Sequence, residues 1–166
     1  NNCKRIFVAP GNAGTSKIAS NLNIDVLNFD QVKSSILKLD INLVMVGPEI
    51  PLIEGIVDFI NNDIDLKSVL VVGPSKAGAK LEGSKDFSKE FMAKHNIPTA
   101  KYESFSSENL DKGLDYLQSI SPPYVLKADG PAAGKGVLII DNLNEAKKEL
   151  TNMLKNNKFG PSGHNV

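Results

Sequence analysis

The sequence predicts an α/β fold in which parallel strands alternate with helices. Short apolar or β-branched runs at residues 5–9, 43–46 and 69–72 are separated by amphipathic segments of helical period. Each of these three runs ends in a Pro-Gly or Gly-Pro pair. Because ligands of open parallel sheets bind outside the carboxyl ends of the strands, we expect substrate contacts in the loops that follow these runs.

Two helices are predicted in this half of the chain, one with Asp30 as its N-cap and one with Pro51 in its first turn. Each has an apolar stripe of helical period, made of Val32, Ile36, Leu37 and Leu39 in the first helix and of Leu52, Ile53, Ile56, Val57 and Ile60 in the second. The composition of strands 43–46 and 69–72 is that of strands buried on both faces. A weaker strand is expected at 24–27.

The alternation of apolar strands and amphipathic helices changes after Gly83. We therefore expect two modules whose boundary lies within residues 83–98. A helix from Ser84 to His95 is predicted to turn its apolar side chains inward, namely Phe87, Phe91 and Met92. A strand is expected at 102–105, followed by a helix that Ser106 or Ser107 caps and that Leu110, Leu114 and Leu117 line.

The last third of the chain predicts a hairpin and a final helix. Strands are expected at 124–127 and 137–140, joined by residues 128–136. Asn142 and Glu145 resemble a capping box at the start of a helix. Its buried face is predicted to consist of Leu143, Ala146, Leu150, Met153 and Leu154.

Composition restricts the partners that we expect. The 166 residues contain 19 Lys and Arg and 19 Asp and Glu, so no overall basic field attracts nucleic acid or an acidic membrane. Cys3 is the single cysteine and the chain has two histidines, which argues against a disulfide or a zinc cluster. No apolar run approaches the roughly 20 residues that span a bilayer. We therefore expect a cytoplasmic protein.

The segment from Lys127 to Val137 is the most informative one for chemistry. Its three glycines and two alanines allow backbone N–H groups to approach a polyphosphate, and its lysines add positive charge. Only three residues separate Gly130 from Gly134-Lys135, and a strand follows, so the segment is not a Walker A loop. Two interpretations stay open, a flap over phosphates and a flexible hairpin loop with solvated lysines. Lys127 favours the flap, because a charge in an otherwise apolar strand is costly unless an anion meets it.

Five motifs in this order are similar to those of one known family: residues 9–15 (Ala-Pro-Gly-Asn-Ala-Gly-Thr), 46–52 (Val-Gly-Pro-Glu-x-Pro-Leu), 73–74 (Gly-Pro), 81–85 (Leu-Glu-Gly-Ser-Lys) and 127–137 apart from position 131. The chain resembles the phosphoribosylamine-glycine ligase family, ATP-grasp enzymes of purine biosynthesis. The resemblance covers nearly the whole chain.

The resemblance implies both an architecture and a reaction. It implies a Rossmann-like substrate domain at 1–83 that lacks its first βα unit, a linker helix at 84–98 and a partial ATP-grasp domain with its lid loop at 99–166. The implied reaction joins glycine to 5-phosphoribosylamine through a glycyl phosphate. It uses ATP with Mg²⁺ or Mn²⁺, and the resemblance implies a monomer.

The resemblance also assigns site residues. The expected ATP-binding residues are Lys85, Lys127, Asp129, Gly130, Ala133, Gly134, Lys135 and Gly136. The expected substrate-binding residues are Gly11, Asn12, Gly14, Thr15, Pro48 and Glu49. Alternative roles stay open, since Glu49 could stabilise a helix N-terminus and Lys85 could be a solvated lysine. No residue of the chain is assigned as catalytic or as a metal ligand.

The chain departs from the family pattern in three places. Pro131 stands where the family has leucine, which removes an N–H and stiffens the loop. We expect a Gly-Gly-Arg-Glu-His-like turn before residue 1 and the magnesium ligands after Val166, so the 166 residues alone are not expected to be active. The alternatives are a non-catalytic module that binds a nucleotide or sugar phosphate, and another ATP-grasp carboxylate-amine ligase.

Overall fold

The computed structural model describes residues 3–130, 136–156 and 158–166. The chain divides into two compact units, residues 1–79 and 80–166. The predicted α/β class is confirmed, because the first unit contains parallel strand pairs and helices and the second contains an antiparallel hairpin with helices. Within these described residues, no helix combines the length and apolarity needed to cross a membrane.

The first unit contains two pairs of short parallel strands. Strand β1 (Phe7–Val8) pairs with β2 (Ser20–Asn21), and β3 (Leu43–Met45) pairs with β4 (Leu70–Val72). The predicted strand at 24–27 is wrong. The chain instead forms β2 four residues earlier, where hydrogen bonds to β1 are available.

The helices of the first unit are α1 (Phe29–Leu39), α2 (Glu49–Glu54) and α3 (Ile56–Asn62). The N-cap of α1 is Asn28 and not the predicted Asp30, because the Asn28 side chain accepts a hydrogen bond from Gln31 N at 3.1 Å. The one helix predicted from Pro51 onward is two helices in the structure.

Gly55 separates these two helices. Its φ of +98° is left-handed, so it ends α2 and at the same time precedes α3. A residue with a side chain rarely adopts this conformation, whereas glycine does so at little cost.

A cluster of six buried side chains forms the core of the first unit: Val32, Ile36, Ile56, Val57, Ile60 and Leu66. Leu37, predicted to be inward, is 49% exposed. The expectation that β3 and β4 are buried on both faces is also wrong, since Val44 and Val71 pack on this core while the alternate side chains are exposed. The exposed set is Leu43, Met45, Leu70 and Val72.

One ion-pair cluster joins α1 to the segment after α3. Lys33 Nζ lies 2.7 Å from Asp63 Oδ2 and 2.8 Å from Asp65 Oδ2. The hydrogen bond from Lys33 lowers the pKa of Asp63, and the hydrogen bonds to Asp63 and Asp65 raise the pKa of Lys33. Asp63 Oδ1 also accepts from Asp65 N at 2.9 Å, so it caps the short 3₁₀ helix Ile64–Leu66.

The remaining elements are α4 (Lys76–Gly83), α5 (Lys85–Lys94), α6 (Leu110–Ser119), β5 (Tyr124–Lys127), β6 (Val137–Ile140) and α7 (Leu143–Lys155). Helix α4 has no counterpart among the predicted elements. The predicted hairpin is confirmed, since β5 and β6 pair antiparallel with Lys127 opposite Val137.

The predicted strand at 102–105 is wrong. The structure assigns no strand to these residues, and only Phe105 exchanges backbone hydrogen bonds with Val166, both at 2.9 Å. A strand needs a partner along its length, which the β-branched or aromatic composition of a segment does not provide.

The core of the second unit lies between the hairpin and helices α6 and α7. The predicted face of α7 is confirmed, and Leu150 and Met153 on it are fully buried. Asn142 caps α7 by accepting from Glu145 N at 3.1 Å. The prediction that Phe87 faces inward is wrong, because it is 37% exposed.

Replacing Ile60 tests the core of the first unit. Ile60 is fully buried, so Ile60→Ala removes packed atoms and leaves a cavity, and we expect a loss of about 2–5 kcal/mol in the free energy of unfolding. Ile64→Ala is the matched control, because Ile64 is 75% exposed and its loss should stay within about 0.5 kcal/mol. Urea unfolding measures both, and equal losses would contradict this description of the core.

Candidate functional site

The loop after β1 is ordered by the side chain of Asn12. Asn12 Oδ1 accepts hydrogen bonds from the backbone N–H groups of Gly14 at 2.8 Å and Thr15 at 3.0 Å. Thr15 Oγ1 in turn accepts from Asn12 N at 2.8 Å. Two residues predicted to bind substrate thus also determine the shape of the loop, which leads into a 3₁₀ helix at Thr15–Lys17.

Asn21 on β2 also supports this loop and is not among the residues predicted to lie at the site. Its Nδ2 donates to Asn12 O at 2.8 Å, and its Oδ1 accepts from Thr15 Oγ1 at 2.8 Å. No local motif marks Asn21, which lies in a short polar stretch. Its role depends on the parallel pairing of β2 with β1.

Gly11 is required at this point for two independent reasons. Its φ is +79°, and a Cβ added there would lie 2.3 Å from the side chain of Asn21. A larger residue would therefore both strain the backbone and displace the amide that supports the loop.

Pro48 and Glu49 lie at the start of α2. Pro48 is the N-cap with an extended backbone, and Glu49 is the first helical residue and is exposed. A carboxylate at this position is favoured by the helix dipole, so the geometry is compatible with both proposed roles of Glu49. Within residues 3–130, the hydrogen bonds of the loop 10–15 extend to Asn21 and not to this turn.

Lys85 lies at the start of α5, beside the end of the hairpin strand. Its Nζ donates to the carbonyl oxygen of Asp129 at 3.0 Å and to that of Gly130 at 3.4 Å. Ser84 is the N-cap of this helix and accepts from Phe87 N at 3.0 Å. The ammonium group of Lys85 is thus directed by backbone carbonyls and is not freely solvated.

Lys127 is the last residue of β5, and the reason that the sequence suggested for its importance does not hold. Tyr124 and Leu126 are buried, whereas Val125 and Lys127 are exposed on the other face of the strand. The charge of Lys127 is therefore not buried in an apolar strand. Strand alternation places it outside the core.

Lys85 and Lys127 line the same cavity, which has a volume of about 350 Å³. The walls contain apolar and aromatic side chains, among them Phe105, Tyr116 and Leu117. The lining also includes Lys89 and Lys101 and the acidic residues Asp86, Glu103 and Asp129. Cationic groups beside an apolar wall suit a ligand that has both anionic groups and a flat apolar part. A nucleotide has this chemistry.

Tyr102 lines the same cavity. Burial raises the pKa of its hydroxyl, and the charges of Asp86, Glu90 and Glu103 raise it further. Lys89 Nζ lies 5.4 Å from the centre of the Tyr102 ring and donates to Thr99 Oγ1 at 2.6 Å.

The predicted lid residues are only partly within the described chain. Ala133, Gly134 and Lys135, together with Pro131, lie outside the described residues. At the ends of the loop, Gly136 O accepts from Ala128 N at 2.8 Å, and Gly130 O accepts from Lys85 as given above. The hairpin is therefore closed by a backbone hydrogen bond directly before the lid.

In the portions of the chain that the structure describes, no three His, Cys, Asp or Glu side chains form a cluster that could hold a metal ion. The carboxylate of Asp129, the acid nearest the lid in sequence, accepts hydrogen bonds from Ser84 Oγ and from Asp86 N. We assign no metal ligand to these residues.

Comparison with solved structures supports the class of fold. Phosphoribosylamine-glycine ligase from Thermotoga maritima matches with a TM-score of 0.70 at 28% identity, covering 98% of this chain and 36% of that chain. The biotin carboxylase domain of Hydrogenobacter thermophilus 2-oxoglutarate carboxylase matches with a TM-score of 0.62 at 20% identity, covering 87% of this chain and 32% of that one. The second likeness concerns the fold alone.

Curated relatives are similar over nearly the whole chain. Phosphoribosylamine-glycine ligases of Pseudomonas aeruginosa and Neisseria meningitidis serogroup B are 44% and 45% identical over 164 and 161 residues, which is 98% and 97% of this chain. A bifunctional purine biosynthetic protein of Schizosaccharomyces pombe is 43% identical over 98% of this chain and 20% of its own length. The chain spans 37% of the length of the two bacterial relatives.

The match to a family model defines the class of the second unit as an ATP-grasp domain. Residues 83–166 match the family model described as phosphoribosylglycinamide synthetase, ATP-grasp (A) domain, and residues 1–82 match the model of the N domain of the same enzyme. The chain belongs to the phosphoribosylglycinamide synthetase family.

Gly11→Ala tests the geometry of the loop after β1. The left-handed backbone and the approach of Asn21 should together cost roughly 1–3 kcal/mol in the free energy of unfolding. Gly78→Ala in α4 is the matched control, because its nearest contact would be 3.4 Å and alanine favours a helix by up to about 1 kcal/mol. If urea unfolding shows no difference between the two variants, the described loop is wrong.

Proposed function

We propose that the protein containing this chain catalyses the ATP-dependent ligation of glycine to 5-phosphoribosylamine, which gives glycinamide ribonucleotide, ADP and phosphate. The observation that carries the proposal is that Lys85 and Lys127 line one cavity in the region that matches the ATP-grasp model. The names of the relatives support the choice of substrates.

The proposed reaction has two steps. The glycine carboxylate attacks the γ-phosphorus of ATP, so that a C–O–P bond forms, the β–γ bridge bond breaks and ADP leaves. The amine of phosphoribosylamine then attacks the carbonyl carbon of glycyl phosphate, phosphate leaves and the nitrogen loses a proton. Phosphorylation is needed because a carboxylate is otherwise a poor acyl donor.

In this proposal the two lysines neutralise phosphate charge in a partly apolar site, where a fixed positive charge is worth more than in water. The carbonyl oxygens of Asp129 and Gly130 support this role of Lys85, because they fix the position of its ammonium group before nucleotide binds. The predicted lid residues Ala133, Gly134, Lys135 and Gly136 would cover the phosphates. A divalent cation, Mg²⁺ or Mn²⁺, would supply further neutralisation when bound.

The first unit would bind phosphoribosylamine. The ordered turn at residues 11–15 supports this assignment, since it follows the carboxyl end of β1, which pairs parallel with β2, and ligands of parallel sheets bind outside such strand ends. The exposed carboxylate of Glu49 suits a contact with the amine or with a ribose hydroxyl. The proposal further includes a monomeric, cytoplasmic enzyme without a nucleic acid or membrane partner.

A direct assay tests the reaction. The protein expressed from its complete reading frame is incubated with ATP, glycine and freshly generated phosphoribosylamine, and ADP and glycinamide ribonucleotide are measured. We expect both products only when all three substrates are present. ATP binding without turnover would favour a non-catalytic nucleotide-binding protein, and turnover with a different acid or amine would favour another ATP-grasp ligase.

Lys127→Met in the same protein tests the nucleotide site. Loss of a charge-assisted phosphate contact should weaken ATP binding about ten- to a hundredfold, because such contacts contribute about 1.5–3 kcal/mol. Lys112→Met removes an exposed lysine of α6 and is the matched control. Isothermal titration with ATP measures both variants, and an unchanged affinity in Lys127→Met would exclude this lysine from the site.

A further inference from the structure

The side chain of Asp129 accepts hydrogen bonds from the N-terminus of α5. Asp129 Oδ1 accepts from Asp86 N at 2.8 Å, and Ser84 Oγ lies 3.1 Å from Oδ2 and 3.2 Å from Oδ1. The residue is half-buried. A carboxylate that faces the first turn of a helix is stabilised by the unpaired N–H groups there and by the helix dipole.

The proton positions in this network are mutually consistent. Ser84 Oγ accepts from Phe87 N at 3.0 Å, so its single hydrogen is available to donate to Asp129. The carboxylate of Asp86 points elsewhere and accepts from Ser104 Oγ at 2.6 Å. Asp129 is therefore an acceptor for two donors that belong to a segment more than 40 residues earlier in the chain.

The backbone of Asp129 is engaged as well. Its carbonyl oxygen accepts from Lys85 Nζ at 3.0 Å and from Lys85 N at 3.4 Å, and its N–H donates to Asn165 O at 3.0 Å. One residue thus contacts the cap, the first residue and the second residue of α5. It also orients the carbonyl that directs the ammonium group of Lys85.

We propose that Asp129 is a positioning residue for nucleotide binding: its carboxylate fixes the start of α5 against the hairpin, and this sets the position of Lys85 in the cavity. This inference rests on the proposed function, and it replaces the expectation that Asp129 itself contacts ATP. The carboxylate acts through Lys85 and not on the phosphates, whose negative charge would repel it.

The choice of variants follows from the contacts. Asp129→Ala removes both acceptors, whereas Asp129→Asn keeps an oxygen that can accept from Asp86 N. Ser84→Ala removes the hydroxyl donor and leaves the carboxylate in place. Asp115→Ala removes an exposed carboxylate of α6 and is the matched control.

The test measures ATP affinity by titration and the KM for ATP and kcat in the ligase assay, with the protein from its complete reading frame. We expect Asp129→Ala to weaken ATP binding and raise the KM for ATP about tenfold with a smaller change in kcat. We expect Asp129→Asn to restore affinity to within about threefold of the original protein. The effects of Ser84→Ala and Asp129→Ala should be less than additive, because both break the same contact.

Several outcomes would overturn the inference. If Asp129→Asn loses as much affinity as Asp129→Ala, with a changed dependence on the divalent cation, Asp129 contacts the metal or the nucleotide directly. Unchanged affinity in both Asp129 variants would also exclude the positioning role. Because Ser84→Ala and Asp129→Asn are milder changes, they remain informative if Asp129→Ala does not fold.

The same measurements separate this inference from the proposed reaction. If the protein binds ATP in an Asp129-dependent manner but forms no glycinamide ribonucleotide, the proposed reaction is wrong and the positioning role stands. If ligation occurs but ATP affinity does not depend on Asp129, the proposed reaction stands and the positioning role is wrong. A protein that binds no ATP at all would contradict both.

Discussion

The second unit depends on a small set of hydrogen bonds between the start of α5 and the end of β5. Lys85 and Lys127 line one cavity together with Lys89 and Lys101, and like charges in one site need fixed dipoles or counter-charges to hold them there. The carbonyl oxygens of Asp129 and Gly130 provide such dipoles for Lys85. These carbonyls are themselves oriented because the Asp129 carboxylate and N–H have partners on other segments. The same hydrogen bonds therefore fix both the backbone at the end of the hairpin strand and the position of the Lys85 charge.

In the first unit, hydrogen bonds between neutral groups order the loop after β1. A glycine-containing loop has a high conformational entropy, and an ordered binding loop must offset this cost. Here the amides of Asn12 and Asn21 and the hydroxyl of Thr15 join the loop to the neighbouring strand. Gly11 permits the close approach of Asn21 that this arrangement needs. The residues of the motif thus define the loop's shape in addition to any contact with a ligand.

Local patterns predicted those elements whose stability is mainly local. The hairpin 124–127 and 137–140, the capped helix after Asn142 and its buried face follow from strand and helix periodicity. The predictions are wrong where the local structure depends on a segment that is distant in the sequence. Residues 102–105 have strand composition but form no strand, and β3 and β4 expose one face, because pairing and covering layers are not encoded in a short window of sequence. The helix predicted from Pro51 is divided at Gly55. The left-handed backbone of Gly55 ends the helix there, although the apolar stripe continues beyond it.

By itself, the sequence determined the fold class, the order of the motifs and the resemblance to one family, because these depend on residue type and spacing. It did not determine the exposure of Lys127, because the pleat of the strand turns Tyr124 and Leu126 to the other face. Only the tertiary structure brought Lys85 and Lys127 to one cavity, joined Asn21 to the loop after β1 and bound Asp129 to the first turn of α5. Each of these contacts joins segments that are separate in the sequence, and hydrogen bonds between such segments exist only after the chain has folded.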